Sequence, residues 1–186
     1  MLPAFPDGPG TDREVGRMRM TIARRGIAAV AIGAALALPA TVLAATINGT
    51  PDADVLPGTA AADTIHGYGG ADLIAGKAGA DWLYGGGGRD VVYGNDGPDH
   101  ISGGSGADIL RGGHGADVIS GGTGPDRIRG GAGTDTIYGR DGNDVIAVGY
   151  DRAADLVRCG DGWDVVYAGR TDMVAPSCER VIRVDD

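Results

Sequence analysis

Aspartate recurs at every ninth position through the middle of this 186-residue chain. Counting in nines from Gly49 gives eleven consecutive units without an insertion, and the sixth position of each unit is aspartate. Carboxylate oxygens are the ligands that hard divalent cations prefer. The spacing therefore predicts a repeated cation site. Its members are Asp54, Asp63, Asp72, Asp81, Asp90, Asp99, Asp108, Asp117, Asp126, Asp135 and Asp144.

Two further positions keep the same phase. The first is glycine in all eleven units, and the fourth is glycine in nine, failing only at Asp52 and Ala61. The eighth is always aliphatic: Leu56, Ile65, Ile74, Leu83, Val92, Ile101, Leu110, Ile119, Ile128, Ile137 and Ile146. Because a strand alternates its faces, an inward eighth position places positions seven and nine on the outside. The pattern predicts a repetitive β structure with one buried aliphatic side chain in each unit.

This repeat resembles the hemolysin-type, or RTX, calcium-binding nonapeptide, Gly-Gly-x-Gly-x-Asp-x-aliphatic-x. The resemblance implies an all-β fold, a right-handed parallel β-roll with two nonapeptides in each coil. The last three or four residues of each unit would form a short strand, and the glycine-rich part a turn. Calcium would lie between successive coils, bound by the position-six carboxylates of every second unit. Backbone carbonyls from positions one to four would complete its ligands.

The carbonyl ligands that the resemblance implies include the glycines at positions one and four of units three to ten. Glycine permits positive φ, which would let these carbonyls turn toward an ion. They belong to Gly67, Gly70, Gly76, Gly79, Gly85, Gly88, Gly94, Gly97, Gly103, Gly106, Gly112, Gly115, Gly121, Gly124, Gly130 and Gly133.

Stacked coils also give a physical reason for the cation. Parallel coils about 4.8 Å apart place the aspartates in columns, where adjacent charges repel by roughly 3 kcal/mol at an effective dielectric constant near 20. A divalent ion between each pair turns this repulsion into attraction. Calcium suits such a site because it takes six to eight oxygens in flexible geometry, whereas magnesium requires a stricter octahedron. We therefore expect calcium to complete the fold.

The two columns set an upper limit on the number of ions. Odd-numbered units give five gaps between aspartates and even-numbered units give four, so the regular repeats hold at most nine calcium ions. The first gap of each column departs from the pattern, because Asp52 and Ala61 stand where the other units have glycine.

A degenerate coil is expected over residues 148–186. Asp155 follows Asp135, and Asp164 follows Asp144, by one coil plus two residues, so a two-residue insertion within 148–154 returns them to the columns. They would then bind one or two more ions. Irregular terminal repeats commonly close a solenoid.

The two cysteines of the chain, Cys159 and Cys178, are separated by nearly the length of one coil. Adjacent coils bring Cα atoms within the 4.4–6.8 Å of a disulfide. Exported chains commonly form such bonds. We therefore predict a disulfide that staples this segment. A reactive pair is the alternative, although the spacing is no redox motif.

The N-terminal region has the layout of a secretory signal peptide. Basic residues from Arg17 to Arg25 precede an apolar run over 26–38, and small residues lead to a cleavage site after Ala44. A membrane anchor is the alternative, but this run is shorter than the roughly 20 residues that span a bilayer. Residues 45–186 carry 11 basic and 22 acidic side chains, which disfavours nucleic acid and anionic membranes as partners and favours cations.

No catalytic motif is recognisable, so we expect a protein that is not an enzyme. His66, His100 and His114 occupy different repeat positions and are expected on the solvated surface. Position seven of the odd units is apolar in all but one case (Val55, Leu73, Val91, Ile109, Arg127 and Val145), which either reflects β-propensity or marks a docking surface.

The sequence thus predicts three segments. Residues 1–44 form an extension and signal peptide, 45–147 a calcium-binding β-roll, and 148–186 a degenerate closing coil. The leading hypothesis is a secreted, non-catalytic calcium-binding protein that folds outside the cell. The alternatives are a cell-surface adhesion or interaction module with an unidentified protein or surface partner, and an accessory domain of an extracellular enzyme.

Overall fold

A computed structural model describes residues 43–149 and 151–184. The predicted signal peptide therefore falls almost wholly outside the described residues. All the regular structure in the described ranges is β, in sixteen strands. No helix within these ranges is long and apolar enough to cross a membrane.

The odd-numbered strands form one parallel sheet of eight strands in chain order. Their bounds are β1 Thr46–Asn48, β3 Thr64–Gly69, β5 Trp82–Gly87, β7 His100–Ser105, β9 Val118–Thr123, β11 Thr136–Asp141, β13 Leu156–Asp161 and β15 Met173–Val174.

The even-numbered strands form a second parallel sheet of eight, also in chain order. Their bounds are β2 Val55–Pro57, β4 Leu73–Ala78, β6 Val91–Asp96, β8 Ile109–His114, β10 Arg127–Ala132, β12 Val145–Ala147, β14 Val165–Ala168 and β16 Arg180–Arg183. The chain thus alternates between two sheets and forms a β-solenoid of about eight turns, which confirms the predicted fold class.

The register confirms that two nonapeptides make one coil. Ile101 pairs with Ile119 in the first sheet, and Leu110 pairs with Ile128 in the second, so each residue pairs with its equivalent two units further along the chain. Equivalent repeat positions are therefore stacked directly on one another along the solenoid.

Position eight forms the core, as predicted. The eleven aliphatic side chains from Leu56 to Ile146 are all buried, while positions seven and nine face outward because strand residues alternate between faces. The apolar stripe at position seven is partly exposed, with Val55 at 57% and Leu73 at 41%. The exposed Arg127 interrupts it.

The regular strands are longer than expected. Most span six residues, from position seven of one unit to position three of the next, and the turn is reduced to positions four to six. The expectation of three or four residues was wrong for these strands because the pairing continues through the glycines. Gly104 pairs with Gly122, and Ser105 with Thr123.

The C-terminal segment continues the same two sheets. Ile137 pairs with Val157 and Ile146 with Val166, each pair separated by one coil plus two residues, which confirms the two-residue insertion. The last four strands, β13 to β16, add two coils where one was expected.

The predicted disulfide is present between Cys159 and Cys178, whose Cα atoms are 5.2 Å apart. Both cysteines are buried and pack against the end of the aliphatic core. The bond ties β13 to the segment that leads into β16, so it holds the last two coils together.

Candidate metal centre

The position-six aspartates form two buried columns, held by one repeated hydrogen bond. The backbone N–H of Asp90 donates to Oδ1 of Asp108 at 2.8 Å, and the same bond links each aspartate to the next one in its column. Across the two-residue insertion it continues from Asp135 to Asp155 and from Asp144 to Asp164. Eleven carboxylates are positioned in this way, from Asp72 to Asp164.

The second oxygen of these same carboxylates has no hydrogen-bond partner. Oδ2 is buried and unpaired in Asp72, Asp81, Asp90, Asp99, Asp108, Asp117, Asp126, Asp135, Asp144, Asp155 and Asp164. A buried polar group without a partner costs about 1–3 kcal/mol, and a charged group costs more. A chain that repeats this arrangement eleven times therefore requires a positive partner or a proton at each oxygen.

A backbone carbonyl of the next coil lies close to the unpaired oxygen. Oδ2 of Asp108 and the carbonyl oxygen of Gly121 each lie 2.5 Å from the point that a Cβ on Gly103 would occupy. The two oxygens are therefore within about 5 Å of each other. Calcium binds oxygen at 2.3–2.6 Å, so two ligands of one ion are separated by at most about 5 Å. The two oxygens are therefore close enough together to bind one calcium ion.

The same arrangement repeats along both columns, always between an aspartate and the position-one residue of the following coil. Eight pairs include an unpaired Oδ2: Asp72 with Gly85, Asp81 with Gly94, Asp90 with Gly103, Asp99 with Gly112, Asp108 with Gly121, Asp117 with Gly130, Asp126 with Gly139, and Asp144 with Cys159. The first coil has the same geometry in Asp54 with Gly67 and Asp63 with Gly76, but Oδ2 of these two aspartates is hydrogen-bonded.

Two of these carbonyls, those of Gly139 and Cys159, were missed by the sequence analysis. Gly139 follows Asp126 at the same spacing that separates the regular pairs, and this spacing could have identified it. Cys159 stands at position one after the insertion, where no glycine marks the site. A carbonyl ligand needs no particular side chain, so only the stacking identifies it.

The glycines at positions one and four serve different purposes. At position four φ is positive, for example 139° at Gly106, and a Cβ there would meet the carbonyl oxygen of Gly88 in the preceding coil. The carbonyl groups of the position-four glycines are thus stacked in a column separate from the aspartates. At position one φ is not positive, so the expected reason for glycine was wrong there. Gly103 instead leaves the space that the carboxylate of Asp108 occupies.

Burial raises the pKa of the column carboxyls. It brings the pKa of Asp99, Asp126 and Asp135 to about 7, and that of Asp144 and Asp155 to about 6, from an ordinary value of 3.8. Neighbouring carboxylates add to the rise, and the backbone N–H bond opposes it. Burial also raises the pKa of Asp72, Asp81, Asp90, Asp108, Asp117 and Asp164.

Side chains alone do not assemble a metal site in the described part of the chain, where no three His, Cys, Asp or Glu residues converge. Of the histidines expected on the solvated surface, His100 is exposed and His66 is half-buried. His66 stacks on Tyr84 with ring centroids 4.7 Å apart, and His100 stacks on Trp82 at 4.1 Å. His114 is exposed. The candidate ligands are therefore carboxylate and carbonyl oxygens.

Two acids that the sequence analysis missed extend the columns. Asp172 accepts the backbone N–H of Asp155 at 3.1 Å, and Glu179 accepts that of Asp164 at 2.8 Å. Neither acid follows its partner at the spacing of the repeat. Both oxygens of Asp172 have donors, since Gly169 N–H binds the second. Asp172 therefore ends its column without an unpaired oxygen.

A parallel β-solenoid with two buried carboxylate columns, each facing carbonyls of the next coil, defines a repeat protein suited to hard cations. Residues 48–83, 67–101, 84–119, 93–128 and 111–146 match the RTX calcium-binding nonapeptide repeat, and together they cover 48–146, more than half of the chain. The chain belongs to this family, as the resemblance predicted. It matches no curated protein.

Replacing Gly103 by alanine tests the paired oxygens. The methyl group would stand 2.5 Å from both Asp108 Oδ2 and the carbonyl of Gly121, so we expect a loss of about 1–3 kcal/mol in the free energy of unfolding. Denaturant titration in saturating calcium measures it. Ser105→Ala, at an exposed position of the same strand, is the control, with an expected change within about 0.5 kcal/mol. Equal stability of the two variants would contradict the assigned geometry.

Proposed function

We propose that this protein is a secreted, non-catalytic calcium-binding β-roll that folds when it meets calcium outside the cell. One observation carries the proposal: eleven aspartates bury an unpaired carboxylate oxygen, and eight of these oxygens lie beside a carbonyl oxygen of the following coil. Membership of the RTX family supports calcium as the ion.

The residues present fit calcium and give each group a distinct task. The backbone N–H of the preceding aspartate holds one carboxylate oxygen, which orients the other toward the gap between coils. The position-one carbonyl of the next coil supplies a second oxygen. We propose that further carbonyls from positions two to four complete the ligands. Bound calcium would supply the positive charge that neutralises the columns.

Export is supported by two features of the chain. The N-terminal basic and apolar segments have the layout of a signal peptide. The disulfide between Cys159 and Cys178 is of a kind that persists in oxidising compartments. In this proposal residues 1–44 direct export, 45–147 bind calcium, and 148–186 close the roll.

A non-catalytic role is supported by the partners of the side chains that most often serve as catalytic groups. Both cysteines are bonded to each other, and two of the three histidines are stacked on aromatic rings. The buried aspartates face backbone groups in a regular array. The proposed task of the roll is therefore binding and calcium-dependent rigidity.

Calcium binding can be counted directly. We expect native mass spectrometry of the purified chain to show about eight calcium ions, one at each carboxylate–carbonyl pair whose Oδ2 is unpaired, and isothermal titration in excess magnesium to show little change in calcium affinity. A chain that binds no calcium, or binds magnesium equally well, would overturn the proposal.

A further inference from the structure

The first two units differ from the rest in how their aspartates are satisfied. Oδ2 of Asp54 accepts hydrogen bonds from the backbone N–H of Thr50 at 2.6 Å and from its hydroxyl at 2.9 Å. Oδ2 of Asp63 accepts the same two bonds from Thr59, at 2.5 and 3.0 Å. The Oδ1 atom of Asp63 also has a donor, the backbone N–H of Ala45 at 2.7 Å. These oxygens are not left unpaired.

The backbone at position two explains the difference. In units three to eleven this position has positive φ, for example 75° at Tyr68 and 108° at Gly104, and the aspartates that follow have an unpaired Oδ2. Thr50 and Thr59 do not have positive φ, which is strongly disfavoured for β-branched residues. Their peptide N–H instead points to the carboxylate. Threonine therefore places two donors, its N–H and its hydroxyl, beside the aspartate Oδ2 that has no hydrogen-bond partner in the later coils.

We infer that the first coil holds no calcium at its carboxylates, and that the ions begin at Asp72 and Asp81. This inference rests on the proposed function. A positively polarised N–H and a hydroxyl proton occupy the side of the carboxylate that a cation would take, so they repel the ion and also remove the need for it. Asp52 and Ala61, where other units have glycine at position four, lie in these same two units.

At this end of the roll, hydrogen-bond donors of the protein itself therefore satisfy the carboxylates, and no cation is required. Terminal repeats of solenoids differ from internal ones because one of their faces has no neighbouring repeat. Here the difference lies in the hydrogen bonding of the columns. The threonine–aspartate pairs stabilise the first coil with protein donors, and Asp172 does the same for one column at the opposite end.

A crystal structure of the calcium-loaded chain, with anomalous data collected at long wavelength, would locate each ion. We expect peaks beside Asp72, Asp81 and the later pairs, and none within ligand distance of Oδ2 of Asp54 or Asp63. A peak at either of these two oxygens would overturn the inference. A map with no peak in any coil would instead contradict the proposed function.

A pair of matched variants gives the same answer in solution. D54N/D63N changes one aspartate in each column of the first coil, and D90N/D99N makes the same change two coils further along. We expect native mass spectrometry to find the wild-type number of ions in the first variant and at least two fewer in the second. Equal losses in both would refute the inference, and the crystallographic result decides the matter if the first variant does not fold.

Discussion

Removing calcium is expected to abolish most of the β-structure of the chain, and restoring it is expected to bring the structure back cooperatively. The reason is the set of eleven buried carboxylate oxygens without partners. Each costs at least about 1–3 kcal/mol when it is ionised, while whole domains are stable by only about 5–15 kcal/mol. A few such oxygens without a cation are therefore enough to unfold the roll.

Circular dichroism during a calcium titration at neutral pH measures this transition. Magnesium is the matched control, because its shorter bonds and strict octahedron do not suit oxygens held by stacked backbones. We expect little β signal in chelator or in magnesium and a steep gain in calcium. An unchanged β spectrum in chelator would show that calcium is not needed for the fold.

Acidification is expected to act in opposite directions on the calcium-free and calcium-loaded chains. Burial raises the pKa of Asp99 and Asp126 to about 7 in the calcium-free fold, whereas an unfolded aspartate titrates near 3.8. Between these values the folded state holds more protons, so its free energy of unfolding decreases as the pH rises. This contribution is fully present below about pH 4 and is lost as the pH passes 7.

Calcium reverses the trend because it binds the ionised carboxylates. Metal affinity falls when ligands must release protons, so the calcium concentration at half-saturation should rise as the pH falls from 8 to 5. In chelated samples over the same range, the β signal should instead increase toward acid. Loss of β-structure on acidification of the calcium-free chain would contradict the burial of these carboxyls.

Much of the fold could be predicted because the repeat is local and strict. An aliphatic residue at every eighth position and the alternation of strand faces place Ile101 and Leu110 in the core without knowledge of the partner strand. Asp155 and Asp164 each follow the preceding aspartate of their column by one coil plus two residues. This shared excess predicted the insertion, because removing two residues returns both aspartates to the columns. The disulfide followed from a spacing close to one coil.

The remaining features depend on contacts between coils. The role of Gly103 is to leave room for the carboxylate of Asp108, and this is visible only when the side chain is seen folded back over the glycine. The carbonyl of Cys159 and the carboxylates of Asp172 and Glu179 join the columns at irregular spacings. Sequence periodicity cannot find them because an irregular loop changes the number of residues in a coil.

The period, the core and the two aspartate columns follow from the sequence alone, since each results from a residue type repeated in phase along a strand. Which carboxylate oxygens lack a hydrogen-bond partner is visible only in the folded chain. That outcome depends on the orientation of individual peptide planes: Thr50 and Thr59 direct an N–H toward Asp54 and Asp63, whereas positive φ at the same position in later units leaves the carboxylate unpaired. The β-branched side chains of Thr50 and Thr59 disfavour positive φ, but the atoms that their N–H groups then face depend on how the chain folds, and a linear pattern of residue types does not contain that.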